Sequence, residues 1–215
     1  SDNIELLTPE FALAGLAFLV FAVDLFLPEG RKGILAWLSI AGLIALIVLS
    51  LIMLWDEQES LYNGLLAVDD FALFFKIFFM GMGVFIILSS MDFVERRLKH
   101  QGEFYGLLLF SILGMNVMAQ SRELLTAYIA LELLSFSLYV LVAYAKDSAK
   151  SNESALKYII VGAVSSAILL YGVSMVYSTL GVTKFEDIAI GLASASEVAP
   201  ALWVGVGLIS VGLDR

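Results

Sequence analysis

Of 215 residues, 60% are hydrophobic and 15% charged, a balance outside the range of soluble globular domains and one that makes lipid the solvent. Twenty-one acidic residues against twelve basic ones leave a formal net charge of −9, which argues against nucleic acid or an anionic lipid surface as the main partner. With no cysteine in the sequence, disulfides, thiolate metal sites and thiol chemistry are excluded.

Gly, Pro and charge punctuate the apolar stretches and predict an all-α, multi-pass bundle of about seven spans, each near the length needed to cross roughly 30 Å of hydrocarbon. The alternation of a membrane barrel is absent. The first span, Glu10–Leu27, has a leading segment that carries Asp2, Glu5 and Glu10 where a signal peptide would be basic, and no small-residue cleavage site follows it. It reads as a retained helix. The others are Ile34–Trp55, Phe71–Met91, Phe104–Ala119, Glu123–Ala145, Ser154–Leu180 and Ala201–Leu213. Together they make residues 1–215 a single transmembrane domain.

Loop charges set the orientation. The first loop has Arg31 and Lys32, the third Arg96, Arg97 and Lys99, and the fifth Lys146 and Lys150. The second has no basic residue and carries Asp56, Glu57, Glu59, Asp69 and Asp70, while the fourth has only Arg122 and the sixth only Lys184. Odd-numbered loops are therefore cytoplasmic and the N-terminus outside. Residues 182–199 are too polar to span; within them Phe185, Ile188 and Leu192 recur at helical spacing opposite Glu186 and Asp187. Two readings stay open, an amphipathic interfacial segment and an ordered loop packed on the bundle.

Small residues at Gly162 and Ser166, at Gly81 and Gly83, and at Gly205, Gly207 and Gly212 are expected where helices approach closely. No nucleotide-binding or metal-spaced motif is present, and His100, beside Arg96, Arg97 and Lys99, reads as a solvated loop residue.

A charged side chain at the bilayer centre costs about 2.5–3.5 kcal/mol on insertion scales, so its presence points to function. Glu132, flanked by Ala130, Leu131, Leu133 and Leu134 in the middle of the fifth span, cannot snorkel. Burial raises a carboxyl pKa and a nearby cation lowers it, so a residue so placed is suited to gaining and losing a proton. Ser135 and Tyr128, at i+3 and i−4, share its face and could hold a water chain. Lys157, near the cytoplasmic end of the sixth span, could snorkel or pair with Glu153. Lys76 is placed similarly in the third span, with Asp69 and Asp70 near it in sequence, and Asp24 ends the first as a solvated or helix-paired boundary residue. The depths of Glu132 and Lys157 differ by on the order of 10 Å at 1.5 Å per residue, so direct contact needs tilt or bridging water.

Two segments carry a family resemblance. The run Glu123-Leu-Leu-Thr-Ala-Tyr-Ile-Ala-Leu-Glu132-Leu-Leu-Ser-Phe-Ser-Leu-Tyr-Val-Leu-Val-Ala-Tyr144 resembles the glutamate-bearing fifth helix of the antiporter-like N subunits of respiratory complex I, the NADH:quinone oxidoreductase. The run Glu153-Ser-Ala-Leu-Lys157-Tyr-Ile-Ile-Val-Gly-Ala-Val-Ser-Ser-Ala-Ile-Leu-Leu-Tyr-Gly172 is similar to their lysine-bearing sixth helix, and Asp69-Asp-Phe-Ala-Leu-Phe-Phe-Lys76 fits the start of the third. Sister subunits L and M and the cation/proton antiporters typically have Trp before this glutamate; Leu131 stands there here and favours N.

The resemblance implies the first part of an antiporter-like inverted-repeat fold in a proton-translocating membrane-arm subunit, with Glu132 and Lys157 as proton-pathway residues and Lys76, Tyr128 and Ser135 as secondary candidates. It implies no metal and no redox cofactor in this chain; quinone, flavin and iron–sulfur clusters belong to other subunits. The implied partners are the other complex I membrane subunits and the lipid bilayer, with no nucleic acid. The implied location is the bacterial inner (plasma) membrane ahead of an organellar one. The family's seventh helix carries a Gly-Leu-Gly-Phe-Lys-type run, whereas this chain reads Val211-Gly-Leu-Asp-Arg215. The lysine role is therefore not carried to Arg215, and the chain is expected to be the N-terminal portion of a longer subunit. Two other classes remain: a stand-alone cation/proton antiporter, and a structural membrane scaffold in which Glu132 would be an unexplained cost.

Overall fold

The computed structural model describes residues 4–28, 31–98, 100–144, 149–194 and 200–214. Asp2, Lys99, Lys146, residues 195–199 and Arg215 lie outside the described residues, as do the side chains of 149–151 and 194. In chain order the helices are α1 (Thr8–Phe26, after a 3-10 turn at Ile4–Leu7), α2 (Ile34–Leu54), α3 (Asp70–Arg97), α4 (Gln101–Gln120), α5 (Leu124–Val142), α6 (Ala149–Leu180), α7 (Phe185–Ser194) and α8 (Pro200–Leu213). Strands β1 (Glu59–Leu61) and β2 (Leu66–Val68) pair antiparallel between α2 and α3.

Among the described residues, six helices are long and apolar enough to cross a membrane. The sequence reading expected about seven. The last of those expected, α8, is a shorter apolar helix of 14 residues. At the other end of the scale, α3 runs to Arg97 rather than Met91, because Arg96 and Arg97 favour the negative end of the helix dipole.

Local chemistry fixes several helix starts. Pro9 occupies the first turn of α1, where its missing N–H removes no bond. The Asp69 carboxylate caps α3 by accepting from the Ala72 N–H at 2.8 Å. Glu123 caps α5 in the same way, accepting from the Thr126 N–H at 2.8 Å and its hydroxyl at 2.7 Å. A capping interaction of this kind contributes about 1 kcal/mol.

Helices α1 to α4 enclose the main apolar core, in which Leu13, Ala17, Val20, Leu43, Met80, Ile87, Leu109 and Ile112 are buried. Large apolar side chains on the rim, among them Phe11, Phe18, Phe74, Phe85, Ile129 and Trp203, are exposed. Lipid rather than water is the natural neighbour for them. Helix α5 bridges this group to α6, and α8 lies along α6. That last contact runs over glycine: a Cβ on Gly172 would stand 2.8 Å from the Gly205 carbonyl oxygen. Of the other small residues singled out, Gly83, Gly162 and Gly212 lie under neighbouring helices, but Gly81 and Gly207 face open space and pack nothing.

At the hairpin end, which the loop charges assign to the outside, the connections are joined by backbone hydrogen bonds. Arg122 N–H donates to Leu65 O at 2.9 Å, Leu124 N–H to Thr183 O at 3.0 Å, and Phe185 N–H to Arg122 O at 3.0 Å. The Lys184 ammonium donates to the Asn63 carbonyl and Arg122 pairs with Asp69. The hairpin turns through Tyr62, Asn63 and Gly64, all at positive φ. Within the segment singled out at 182–199, Phe185–Ser194 is helical, with Glu186 and Asp187 in its first turn.

Candidate proton-transfer site

Glu132 sits on α5 between Ala130 and Leu134, and two neighbours fix that stretch. On one side α4 offers Gly114, where a Cβ would stand 2.8 Å from Leu134 N and 2.9 Å from Ala130 O, so the two backbones meet without an intervening side chain. On the other, the Ser166 hydroxyl of α6 donates to Glu132 Oε1 at 2.6 Å. Glu132 is half-buried, Ser135 buried and Tyr128 half-buried. Sequence reasoning listed Ser166 only as a small packing residue. Its place one α6 face from a mid-span carboxyl is the signal that would have marked it.

Lys157 is not part of this arrangement. Its ammonium pairs with Glu153 at 2.5 Å, and the two side chains are 73% and 65% exposed. It lies nine residues before Ser166 on the same helix, roughly 14 Å along the axis. The expected mismatch in depth with Glu132 is therefore present, and of the alternatives for Lys157 the i,i+4 pair is the one observed.

The Lys76 expectation requires correction. Neither snorkelling nor pairing with Asp69 or Asp70 occurs. The side chain is 0% exposed, and its ammonium lies 2.7 Å from Glu10 Oε1 on α1. The Gln120 amide of α4 also donates to that oxygen. Glu10, which the sequence reading used only against a signal peptide, is thus a buried carboxylate. Asp69 is instead engaged as the α3 cap and with Arg122.

At the opposite end, Asp24 is 8% exposed and lies 3.2 Å from the Lys32 ammonium, so of the two boundary readings the paired one is found. Gly102 leaves room for it, since a Cβ there would stand 2.7 Å from Asp24 Cγ. The Tyr144 hydroxyl donates to Glu103 Oε2 at 2.9 Å. Burial first and the Glu103 carboxylate second push its pKa up. His100 is exposed, as expected, though its carbonyl accepts from Tyr144.

Comparison with known proteins follows the same geometry. A family profile described as "NADH:quinone oxidoreductase/Mrp antiporter, TM" matches residues 121–213, the stretch that holds Glu132, Lys157 and Ser166. NADH-quinone oxidoreductase subunit N of Trichlorobacter lovleyi is 37% identical over 187 residues, covering 87% of this chain and 38% of that protein. Subunit N of Desulforamulus reducens is 35% identical over 211 residues, covering 98% and 44%. Over nearly its whole length the chain is similar to subunit N. It spans about two fifths of the length of these curated relatives. A chain of respiratory complex I from Thermus thermophilus superposes with a TM-score of 0.74 at 26% identity, covering 96% of this chain and 43% of that one. The fold is thus shared with that chain from α1 through α8, well outside the profile match. Membrane-crossing helices and bacterial relatives place this subunit N homologue in the bacterial plasma membrane.

Proposed function

We propose that the chain is the first part of a membrane-arm subunit of a respiratory NADH:quinone oxidoreductase and takes part in moving protons, with Glu132 as the proton-carrying group. Electron transfer to quinone, with its flavin and iron–sulfur clusters, belongs to other subunits in this reading. The observation that carries it is the position of Glu132: a carboxyl in the middle of an apolar helix, held by the Ser166 hydroxyl at 2.6 Å and backed by the α4–α5 contact at Gly114. A carboxyl that costs about 2.5–3.5 kcal/mol to insert is retained for what its proton does.

Within this proposal Ser135 and Tyr128 line the face along which water would reach Glu132. Lys157, turned out of the bundle, supplies a positive charge to whatever segment or subunit packs on α6. Residues 182–194, with α7 in them, lie at the membrane surface. The profile description also names Mrp antiporters, but the curated relatives above are subunits N and Leu131 replaces the antiporters' Trp, so the stand-alone antiporter is the second reading.

The test combines composition with coupling. Native purification should recover the chain among many membrane subunits. In membranes with equal amounts of assembled complex, Glu132→Gln should lower the protons moved per quinone reduced, and Glu132→Asp should retain part of it. Unchanged turnover and unchanged ratio in Glu132→Gln would remove Glu132 from the pathway.

A further inference from the structure

A second polar site lies outside the profile-matched region. Glu10 lies in the first turn of α1, Lys76 lies less than two turns into α3, and Gln120 is the last residue of α4, so three helices bring these groups to one end of the bundle. All are buried: Glu10 is 7% exposed, Lys76 0% and Gln120 1%. At the same end Leu6, Leu7, Leu54, Leu61, Val68 and Leu73, drawn from the N-terminal turn, the end of α2, the hairpin and the start of α3, form a buried apolar cluster.

The hydrogen bonding within this site is incomplete from protein groups alone. Glu10 Oε1 accepts from Gln120 and faces Lys76, but Glu10 Oε2 and Gln120 Oε1 are buried without a donor among the described residues. The Lys76 ammonium pairs with Glu10 Oε1 at 2.7 Å, but none of its three protons finds a hydrogen-bond acceptor among the described residues. Two acceptors and surplus donors around one point match the two to four polar partners that a buried water requires. Asn116, one turn along α4 on the same face, is 2% exposed and its Oδ1 also lacks a donor among the described residues.

We propose that Glu10, Lys76 and Gln120 hold an internal water and form a second protonatable site, separate from Glu132. A proton carried by that water as hydronium moves to Glu10 Oε2, leaving a neutral carboxylic acid, a restored water and Lys76 still an ammonium; the reverse step returns it. The charge change is borne by the pair. Other charged groups at this end are committed or distant from it: Asp69 pairs with Arg122, Glu123 caps α5, Glu5 and Asp70 are exposed, and α2 contributes none. A purely structural ion pair would keep Glu10 ionised throughout.

The site is tested without turnover, by infrared difference spectroscopy of the intact assembly in its membrane as pH is lowered. A deuterium-sensitive carboxylic acid C=O band should appear, should be lost in Glu10→Gln and should persist in Glu132→Gln. Lys76→Gln removes the compensating charge and should enlarge the band at each pH. If single variants fail to assemble, the neutral double variant Glu10→Gln, Lys76→Gln leaves no buried charge and should lack the band. The proposal is overturned if wild-type and Glu10-substituted spectra coincide at every pH the assembly survives, or if Lys76→Gln leaves the band unchanged. Because the readout needs no quinone reduction, it stands or falls independently of the role given to Glu132.

Discussion

The hydroxyl of Ser166 and Oε1 of Glu132 are 2.6 Å apart, so the middle of α6 is tied to the middle of α5 through one donor. A hydrogen bond to a charged group contributes about 1.5–3 kcal/mol and one to a neutral group about half that. Ser166→Ala should therefore leave the complex assembled but slow proton transfer roughly tenfold, as this energy range implies, while Ser166→Thr keeps a donor and most of the rate. Proton-transfer kinetics in reconstituted membranes separate the two variants. Equal rates for Ala and wild type would mean that the contact only packs.

Lys157 and Glu153 offer a contrast. Both side chains are more than three-fifths exposed, and exposed i,i+4 pairs contribute only a few tenths of a kcal/mol in water. Lys157→Ala should leave assembly intact and reduce proton pumping, and Lys157→Arg should do so less. The comparison that decides is Glu153→Gln. If it reproduces the Lys157→Ala phenotype, the i,i+4 pair rather than the lysine charge matters.

Glu123 governs a dependence on pH. Burial raises its carboxyl pKa, but hydrogen bonds from the Thr126 and Thr183 hydroxyls and from the Thr126 and Leu125 N–H groups outweigh burial and hold it below the ordinary 4.5. A folded-state value below the unfolded one gives stability that is complete above pH 4.5 and is lost as pH falls through the folded value. Thermal unfolding should show Glu123→Gln weaker by about 1 kcal/mol at neutral pH. The gap should narrow in acid; a constant difference would rule out titration of this cap.

Gly114 has backbone atoms of α5 at 2.8 Å and 2.9 Å from where a Cβ would be, and backbone cannot rotate away as a side chain can. Gly114→Ala should push α5 off α4 next to Glu132. The expected loss of stability is about 1–3 kcal/mol, with a fall in pumping larger than that of Ser166→Ala. A stable, fully active Gly114→Ala variant would show that α5 can shift without consequence.

The all-α membrane architecture and the fifth-helix glutamate were legible because apolar length and a lone mid-span charge are one-dimensional signals. Glu10 was not. Its partner Lys76 has Asp69 and Asp70 nearer in sequence, and proximity along the chain outweighed proximity across the bundle. A helix apolar on nearly all sides gives no periodicity to say which face is inward. The available clue was depth: opposite charges at the same end of α1 and α3, with Asn116 and Gln120 four apart on α4. The hairpin was missed because its three-residue strands are too short to alternate, although Asn63-Gly64 is a turn signal. The span Ala201–Leu213 was legible as an apolar helix.

The backbone bonds that join Leu65 to Arg122 and Leu124 to Thr183 act as a datum for depth. Because α5 and α6 are both referenced to that seam, the level at which Ser166 meets Glu132 is counted in residues from a fixed edge. One residue inserted between Glu123 and Glu132 would advance the carboxyl by about 1.5 Å and swing it about 100° around α5. It would then face away from Ser166, however little the inserted residue itself disturbed. Helix length in this protein is therefore a coordinate of the site, and a single-residue insertion a more severe change there than most substitutions.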